Sequence, residues 1–249
     1  MKKIKITVCV VLAFCFIAVI AYSGYQIWQI QSNYNQEARI HDQLMIYKPS
    51  LPQTPGDGVF APKVNQAVVD MQARYPDAVG WITIPNTKID YPFVQATDND
   101  FYLHRDLDKN YLYTGTVFMD YRNHKDFSDF NTIIFGHHMK NGSMFGTLQD
   151  FNDQSFFNAN KTGTIFLADK TYTIEFFAWI VLKPNDAQIY DPTIVDVTNR
   201  QAFLDHAKSM ARYYRDLGVT PDDHLVTLST CNYEFDNARE VLIGRLAEA

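Results

Sequence analysis

Cysteine is scarce in this chain of 249 residues. There are three, and two of them, Cys9 and Cys15, lie in one apolar stretch near the N-terminus. Cys231 is therefore the only thiol in the rest of the sequence, which excludes an intramolecular disulfide there. A lone thiol of this kind is either a buried, inert side chain or a reactive group, and we test the reactive interpretation first.

Basic charge is also in short supply. Of the 22 Lys and Arg residues, three stand in the first five positions, which leaves 19 against 28 Asp and Glu in the remainder. A protein that binds nucleic acid needs a basic face, so the composition argues against that partner. The segment 98–100 has the carboxylates of a calcium loop but lacks its spacing and its final glutamate. We predict no metal and no cofactor.

Charge is missing altogether between Lys5 and Glu37. Residues 6–22 within that gap are almost entirely apolar, about the minimum length for a helix that crosses a bilayer at roughly 1.5 Å per residue. Tyr25 and Trp28 follow, where aromatic side chains meet the lipid headgroups. The lysines before the span predict a cytoplasmic tail at 1–5, a transmembrane anchor at 6–28 and an extracellular remainder.

A cleaved signal peptide is the alternative interpretation of this segment, since Val19-Ile20-Ala21 has the small-residue character of a weak cleavage site. Apolar residues continue past it to Ile30, which favours an anchor that is retained. Residues 29–62 are polar and rich in Pro and Gly towards their end, and predict a stalk or wrapping segment. Residues 63–249 are long enough for one domain with a sizeable core.

The predicted domain is mostly β. Short runs rich in β-branched and aromatic residues, bounded by Gly, Pro, Asn or Asp, predict eight strands, which favour a sandwich or a closed barrel. They are residues 80–84, 88–94, 115–119, 132–135, 163–168, 172–182, 224–230 and 240–246. Apolar spacing predicts helices at 64–71, at 144–151 and at 199–217, the last ending at Gly218 with Pro221 beyond.

Three side chains with complementary chemistry stand at the ends of predicted strands. Cys231 ends the run 224–231, Arg239 opens the next strand, and Gly136-His137 follows the strand 132–135. If the first two strands form an antiparallel hairpin, the end of one lies beside the start of the other, so Arg239 comes close to Cys231. Reactive side chains held at strand ends by a rigid sheet are a common active-site architecture.

The three residue types suit acyl transfer through a thioester. A free thiol is mostly protonated at neutral pH, and a nearby imidazolium or guanidinium raises its thiolate fraction. The arginine fork can hold the oxyanion of a tetrahedral intermediate, and Thr230 could add its hydroxyl or backbone N–H. A histidine can protonate a leaving amine and deprotonate an incoming one.

The run Thr227-Leu228-Ser229-Thr230-Cys231 resembles the signature of the sortases, the membrane-anchored cysteine transpeptidases of Gram-positive bacteria. Gly136-His137 and Ala238-Arg239 match that family's histidine and arginine positions in order. The segments 81–84, 89–92 and 135–139, and the predicted helix 199–217, are similar to class B members. The stalk lacks the Asp-Pro-aromatic lid motif of class C pilin polymerases.

The resemblance implies a closed eight-stranded sortase-type β-barrel, preceded by a single transmembrane helix. It also implies an N-terminal helix and a long helix between strands 6 and 7. It implies a nucleophile at Cys231, an acid/base at His137 and a substrate-clamping Arg239. The implied partners are secreted proteins with a C-terminal sorting signal, and an amine of a cell-wall precursor or a pilin lysine.

Other assignments stay open on the sequence alone. Ser229, Ile189 and Tyr190 are candidates for contacting the sorting signal, and Glu234 or Asp236 could orient His137 as a third catalytic group does elsewhere. For each of them, packing or a solvated loop is the competing interpretation. His138 is the alternative histidine, although the family's histidine directly follows the glycine.

Two other functions compete with transpeptidation. An exported cysteine protease would hydrolyse the same thioester, but papain-like enzymes place the cysteine before the histidine, the reverse of the order here. A non-catalytic surface-binding module would leave the Cys, His and Arg arrangement without a purpose, and it predicts that alkylation of the thiol changes nothing.

Overall fold

The computed structural model describes residues 2–50, 64–183, 186–231 and 238–248, and the side chains of residues 2–10 and of Cys231 lie outside that description. The first helix, α1, runs from Lys2–Leu44 without a break. It therefore covers both the predicted anchor and the first part of the predicted stalk. Its described apolar part is exposed, and it is the one candidate membrane span within the described residues by length and composition.

Nine strands follow in the described ranges. They are β1 (Ala78–Thr83), β2 (Asp90–Val94), β3 (Val117–Met119), β4 (Asn131–Phe135), β5 (Thr162–Phe166), β6 (Thr171–Leu182), β7 (Tyr213–Tyr214), β8 (Leu225–Cys231) and β9 (Arg239–Glu248). The order across the sheet is β5-β1-β2-β3-β4-β8-β9-β6-β7, and β5 also pairs with β6. Eight strands therefore close into a barrel, with β7 added outside the ring. The predicted closed eight-stranded barrel is confirmed, and each predicted strand overlaps an observed one.

The remaining helices are short. α2 is Gln66–Arg74, α3 is Gln154–Ala159 and α4 is Val197–Met210, and 3-10 helices occupy Met45–Tyr47, Phe101–His104 and Gly146–Asn152. Aspartates cap α3 and α4, since the side chains of Asp153 and Asp196 accept the backbone N–H groups of Phe156 and Asn199. The predicted short helix at 144–151 is the third of the 3-10 segments, and α3 was not predicted.

The predicted helix at 199–217 ends too late. α4 stops at Met210, where Ala211 turns to extended geometry, and Tyr213–Tyr214 pair with β6 instead. The backbone N–H of Arg212 donates to Trp179 O at 2.8 Å, and the N–H of Arg215 donates to Phe177 O at 2.7 Å. Tyr214 continues the helical spacing of the apolar residues before it, but adjacent aromatic residues suit a strand that can add to the edge of β6. The helix still lies between the sixth and seventh strands of the barrel, as predicted.

The core is divided by the barrel wall. One cluster fills the interior, and the large side chains Phe93, Phe151, Phe176 and Trp179 are fully buried there. A second cluster lies outside, where Phe203, Leu204 and Ala207 of α4 pack on Ile180, Val241 and Ile243. Each large apolar side chain buried in this way contributes about 1.5–3 kcal/mol. A third cluster joins α2 and the end of α1 to the outer face of β1 and β2.

The pairing of β8 determines where the functional groups meet. β8 runs parallel to β4, with Phe135 opposite Ser229, and antiparallel to β9, with Cys231 opposite Arg239. The ends of β4 and β8 and the start of β9 therefore lie at one edge of the barrel. The predicted hairpin of β8 and β9 is confirmed in its register.

An ion pair between the buried Asp120 and Arg122 stabilises the segment after β3. The Asp120 carboxylate is fully buried and accepts Arg122 Nε at 2.9 Å and Arg122 Nη2 at 2.8 Å. Burial alone would raise the pKa of Asp120, but these hydrogen bonds outweigh it and lower the pKa below its ordinary value. Because the folded state holds the carboxylate ionised, this stabilisation is present above the ordinary aspartate pKa. It is lost as the pH falls through the lower, folded-state value.

We therefore expect Asp120→Asn to lower the free energy of unfolding by about 2 kcal/mol, since it removes charged hydrogen bonds from a buried pair. In thermal unfolding of the detergent-solubilised chain at pH 7 this corresponds to a decrease of about 4–8 °C. The control is Asp108→Asn, which breaks an exposed pair with Arg74 and should change the midpoint by less than about 2 °C. Equal effects of the two variants would contradict the assignment.

Candidate active site

The site begins where β4 ends. Gly136 N donates to Ser229 O at 3.1 Å, so the parallel pairing of β4 with β8 continues to the residue before His137. A Cβ at Gly136 would lie 2.6 Å from the ring of Phe145, which is fully buried. Only glycine allows this close approach. The glycine therefore brings His137 to the barrel edge directly above a packed aromatic ring.

His137 is held on two sides by the 3-10 segment Phe101–His104. Its Nε2 lies 2.8 Å from Leu103 O, and its ring stacks on that of His104 with centroids 5.5 Å apart and an angle of 21°. Because a carbonyl only accepts, Nε2 must carry the proton and donate it to Leu103 O. The neutral ring then presents a lone pair on Nδ1, the nitrogen that a general base uses.

The pKa of His137 is lowered from its ordinary value. Burial is the main cause, and the positive charges of His104 and Arg239 act in the same direction, against the hydrogen bond to Leu103. The backbone pairing places Arg239 at the same barrel edge, because Gly136 bonds to Ser229 near the end of β8 and Cys231 at that end pairs with Arg239. The fold therefore brings together His137 and Arg239, two of the three predicted catalytic side chains.

The third predicted catalytic residue is located by its backbone alone. Cys231 is the last residue of β8 and pairs directly with Arg239 at the start of β9. Ser229, two residues earlier on β8, pairs with Val241 of β9. Glu234 and Asp236, the two candidates for orienting the histidine, lie outside the described residues.

His138 points away from its neighbour. Its side chain is 6% exposed, and Nδ1 lies 3.7 Å from Oε2 of Glu240, whose side chain is also buried. Glu240 pairs across the hairpin with Thr230, which is buried on the opposite face of β8 from Ser229. The hydroxyl of Thr230, a predicted oxyanion donor, is therefore buried on the face of β8 opposite Ser229. Glu240 was not among the predicted site residues. Its position directly after Arg239 on a strand indicates that its side chain lies on the opposite face of β9 from that of Arg239.

A groove wall is formed by the loop before α4. Tyr190 Oη is 2.8 Å from Ser229 Oγ, and the Tyr190 ring stacks on Phe135 with centroids 6.2 Å apart. Arg122 Nη2 donates to Tyr190 O at 3.0 Å, which ties the loop to the Asp120 pair. Two of the predicted substrate-contacting residues, Tyr190 and Ser229, are therefore joined beside Cys231.

Ile189, another predicted substrate-contacting residue, has a different position. Its side chain is fully buried in the outer cluster under α4, and its carbonyl accepts Asn131 Nδ2 at 3.2 Å. Burial places this side chain in the core below the groove, where it supports Tyr190. Beside the loop, an open cleft of about 420 Å³ extends to the start of α4, with Gln188, Thr193 and Asn199 among its lining residues.

Leu103, His104 and Arg122 were also missed as functional residues. Each acts on the site through a contact that spans more than thirty positions in sequence, and no local pattern marks such contacts. Within the described ranges, no group of three or more His, Cys, Asp or Glu residues could hold a metal ion.

The histidine pKa values give a direct check on this geometry. The His137 ring resonance of the wild-type chain is identified by its absence from the spectrum of His137→Gln. We expect it to titrate below 6.5, the ordinary pKa, because burial opposes protonation. The His124 ring resonance, identified in the same way with His124→Gln, should titrate above 6.5, because Asp129 stabilises the charged form of His124. Proton NMR of the histidine ring protons across pH 5–8 measures both. The reverse order would contradict the buried environment of His137.

The same shift links His137 to stability. Because its folded-state pKa is lowered, the contribution of His137 to stability is present above the ordinary histidine value. It is lost as the pH falls through the lower, folded-state value. His137→Gln should therefore flatten the fall in unfolding temperature on acidification, and His124→Gln should not.

Comparison with known proteins identifies the family. The sortase domain model matches residues 82–247. Sortase B of Listeria monocytogenes is 33% identical over 233 residues, covering 92% of this chain and 93% of the relative. The crystal structure of Bacillus anthracis sortase B in complex with AAEK1 superposes with a TM-score of 0.76 at 30% identity, covering 88% of this chain and 99% of that one.

A third relative belongs to a pilus system. The crystal structure of sortase B from the type II pilus of Streptococcus pneumoniae superposes with a TM-score of 0.64 at 38% identity, covering 72% of this chain and 98% of that one. The chain belongs to the sortase family of cysteine transpeptidases, and within it to the class B sortases.

Proposed function

We propose that this chain cleaves a C-terminal sorting motif of secreted proteins through a thioester on Cys231 and transfers the acyl group to an amine. The observation that supports this most directly is the pairing of Cys231 with Arg239, beside a His137 whose Nε2 is bound to Leu103. That arrangement leaves Nδ1 as the acid/base atom. It joins a nucleophile, a proton carrier and a fixed positive charge at one barrel edge.

In the first half-reaction the Cys231 thiol passes its proton to Nδ1 of His137, and its sulfur attacks the carbonyl carbon of the scissile peptide bond, which in this family usually follows a threonine. A carbon–sulfur bond forms, and the negative charge that develops on the carbonyl oxygen is stabilised by Arg239. The carbon–nitrogen bond then breaks as His137 gives its proton to the leaving amine. The product is a thioester and a free C-terminal fragment.

The second half-reaction reverses these steps with a different amine. The incoming nitrogen attacks the thioester carbon, His137 takes a proton from it, and the carbon–sulfur bond breaks to regenerate the thiolate. A buried imidazole with a lowered pKa suits the base role, because it is mostly neutral at physiological pH. His104 also lines an open cleft of about 470 Å³ together with Asp100 and Tyr111, which offers the amine a path from solvent.

The sorting motif would lie along the face of β8 that carries Ser229, against Tyr190. The hydroxyls of Tyr190 and Ser229 form a polar wall there, and Arg122 ties the backbone of Tyr190 to Asp120, just after β3. The buried Ile189 would support the wall, and the backbone at Thr230 would face the scissile bond.

The acceptor would be an amine of a cell-wall precursor or a pilin lysine. The Streptococcus pneumoniae relative comes from a pilus, which supports the second source, and the class as a whole supports either. Residues 6–28 would anchor the enzyme with 1–5 in the cytoplasm and a catalytic domain at 63–249 outside. The exposed apolar face of α1 supports this topology.

The catalytic assignments predict a graded loss of turnover. Cys231→Ala should abolish cleavage of a fluorogenic sorting peptide, His137→Ala should reduce kcat by about 10²–10⁴-fold and Arg239→Ala by about 10²–10³-fold. Matched controls are His124→Ala and Arg245→Ala, which change an exposed histidine and a guanidinium bound to Glu175. Circular dichroism confirms that each variant folds. Wild-type activity in folded Cys231→Ala would refute the proposal.

Product analysis separates transfer from hydrolysis. With an added amine, mass spectrometry of the reaction should show the peptide fragment joined to that amine, and its yield should rise with amine concentration. A hydrolysed fragment alone, at every amine concentration, would favour the exported cysteine protease.

The groove assignment predicts a change in binding. Tyr190→Phe removes the hydroxyl that holds Ser229 in place in the proposed groove, and a loss of about 1 kcal/mol in peptide binding should raise KM for the peptide about fivefold with kcat little changed. Tyr121→Phe, which removes an exposed hydroxyl, is the control. A fall in kcat at constant KM would place Tyr190 in the chemistry instead.

A further inference from the structure

The last part of α1 is docked on the barrel. Glu37 and Leu44 are buried, with 5% and 6% exposure, on a helix whose preceding apolar residues are exposed. His41 Nε2 lies 2.9 Å from Asp90 O, and just past the helix Lys48 Nζ lies 2.5 Å from the Asp90 carboxylate. The helix that would carry the membrane anchor is therefore fixed to β2 by both apolar and polar contacts.

Glu37 has an unusual role in this interface because it is a carboxylate in a buried position. Leu44 already provides apolar docking, and an apolar side chain at 37 would avoid the cost of removing a charge from water. Glu37 Oε1 instead accepts the hydroxyl of Tyr91, 3.3 Å away, and Tyr91 is itself only 7% exposed. The carboxylate therefore orients one buried hydroxyl.

The Tyr91 hydroxyl reaches the loop that follows the proposed acid/base. Its oxygen accepts the backbone N–H of Met144 at 3.0 Å. The backbone N–H cannot accept, so the direction is fixed: the Met144 N–H donates to the hydroxyl, and the hydroxyl donates to Glu37. This hydrogen bond holds Met144 in the left-handed region, at φ 52°, a conformation that costs a non-glycine residue about 1 kcal/mol or more.

Met144 and the next residue contact the histidine pair directly. Met144 forms an isolated β-bridge with His138, and Phe145 N donates to His137 O at 3.0 Å. The Phe145 ring lies under Gly136. Backbone contacts therefore run from the Tyr91 hydroxyl, through Met144 and Phe145, to the carbonyl of His137 itself.

We propose that Glu37 and Tyr91 are positioning residues for His137, so that the end of the N-terminal helix sets the place of the acid/base. The inference rests on the proposed function only in taking His137 as the acid/base. It adds that α1 has a part in turnover beyond holding the domain near a membrane. A displacement of about 1 Å in a catalytic group can cost as much as 10²-fold in rate. Loss of the Tyr91 hydroxyl should therefore produce a measurable fall in rate, even though Tyr91 acts on His137 only through the loop.

The test uses the full chain in detergent micelles with a sorting peptide and an amine acceptor. Tyr91→Phe should lower kcat about tenfold or more at unchanged KM for the peptide, and should shift the His137 ring resonance and its pKa in NMR. Tyr213→Phe is the matched control, because it removes a hydroxyl that donates to Asn152 O at 3.0 Å, away from the histidine loop. Tyr213→Phe should leave both kcat and the His137 resonance unchanged, even if it lowers the unfolding temperature as much as Tyr91→Phe does.

Substitutions of Glu37 separate positioning from docking. Glu37→Leu keeps an apolar contact with the barrel but removes the acceptor, so it should lose kcat as Tyr91→Phe does. Glu37→Gln keeps an acceptor oxygen and should recover most of the rate. Full kcat and an unmoved His137 resonance in Glu37→Leu would overturn the inference, even if Tyr91→Phe fails to fold. Undiminished turnover in His137→Ala would instead refute the proposed function, which keeps the two failures distinct.

Discussion

The parallel pairing of β4 with β8 is the constraint on which the site depends. It brings the end of β4, with Gly136 and His137, level with Ser229 near the end of β8. The antiparallel return of β9 then sets Arg239 opposite Cys231. A slip of one residue in either register would turn these side chains to the other face of the barrel wall. Closure of the barrel through β5 and β6 leaves no free ring edge at which such a slip could start.

The surroundings of His137 set its tautomer, its orientation and its pKa. Leu103 O fixes the tautomer, the His104 ring covers one face, and burial lowers the pKa so that the neutral form predominates at physiological pH. The first two contacts come from the 3-10 segment Phe101–His104 before β3, so the proposed acid/base is held by a part of the chain that is distant in sequence. The inferred link from Glu37 through Tyr91 adds a third support from the N-terminal helix.

The sequence predicted what local chemistry and periodicity determine. The eight barrel strands follow from β-branched and aromatic runs, and the Cys231–Arg239 pairing follows from two adjacent strands with a short connection. The contacts of Leu103, Arg122 and Tyr91 could not be predicted, because each depends on tertiary packing between distant segments. The end of α4 was placed too late because Tyr214 fits the helical pattern of the residues before it, although Tyr213 and Tyr214 form an edge strand on β6. Ile189 illustrates the same limit: its position next to Tyr190 in sequence does not reveal that one side chain is core and the other groove.

The most direct test of the central claim is the intact mass of the full chain after exposure to a pool of sorting-signal peptides. The account predicts an adduct equal in mass to a peptide fragment that ends at the cleaved residue, absent in Cys231→Ala and released by an added amine as a transfer product. The retained mass would also identify the motif. No adduct from any peptide, on a protein whose Cys231 still reacts with iodoacetamide, would contradict a thioester mechanism at this site.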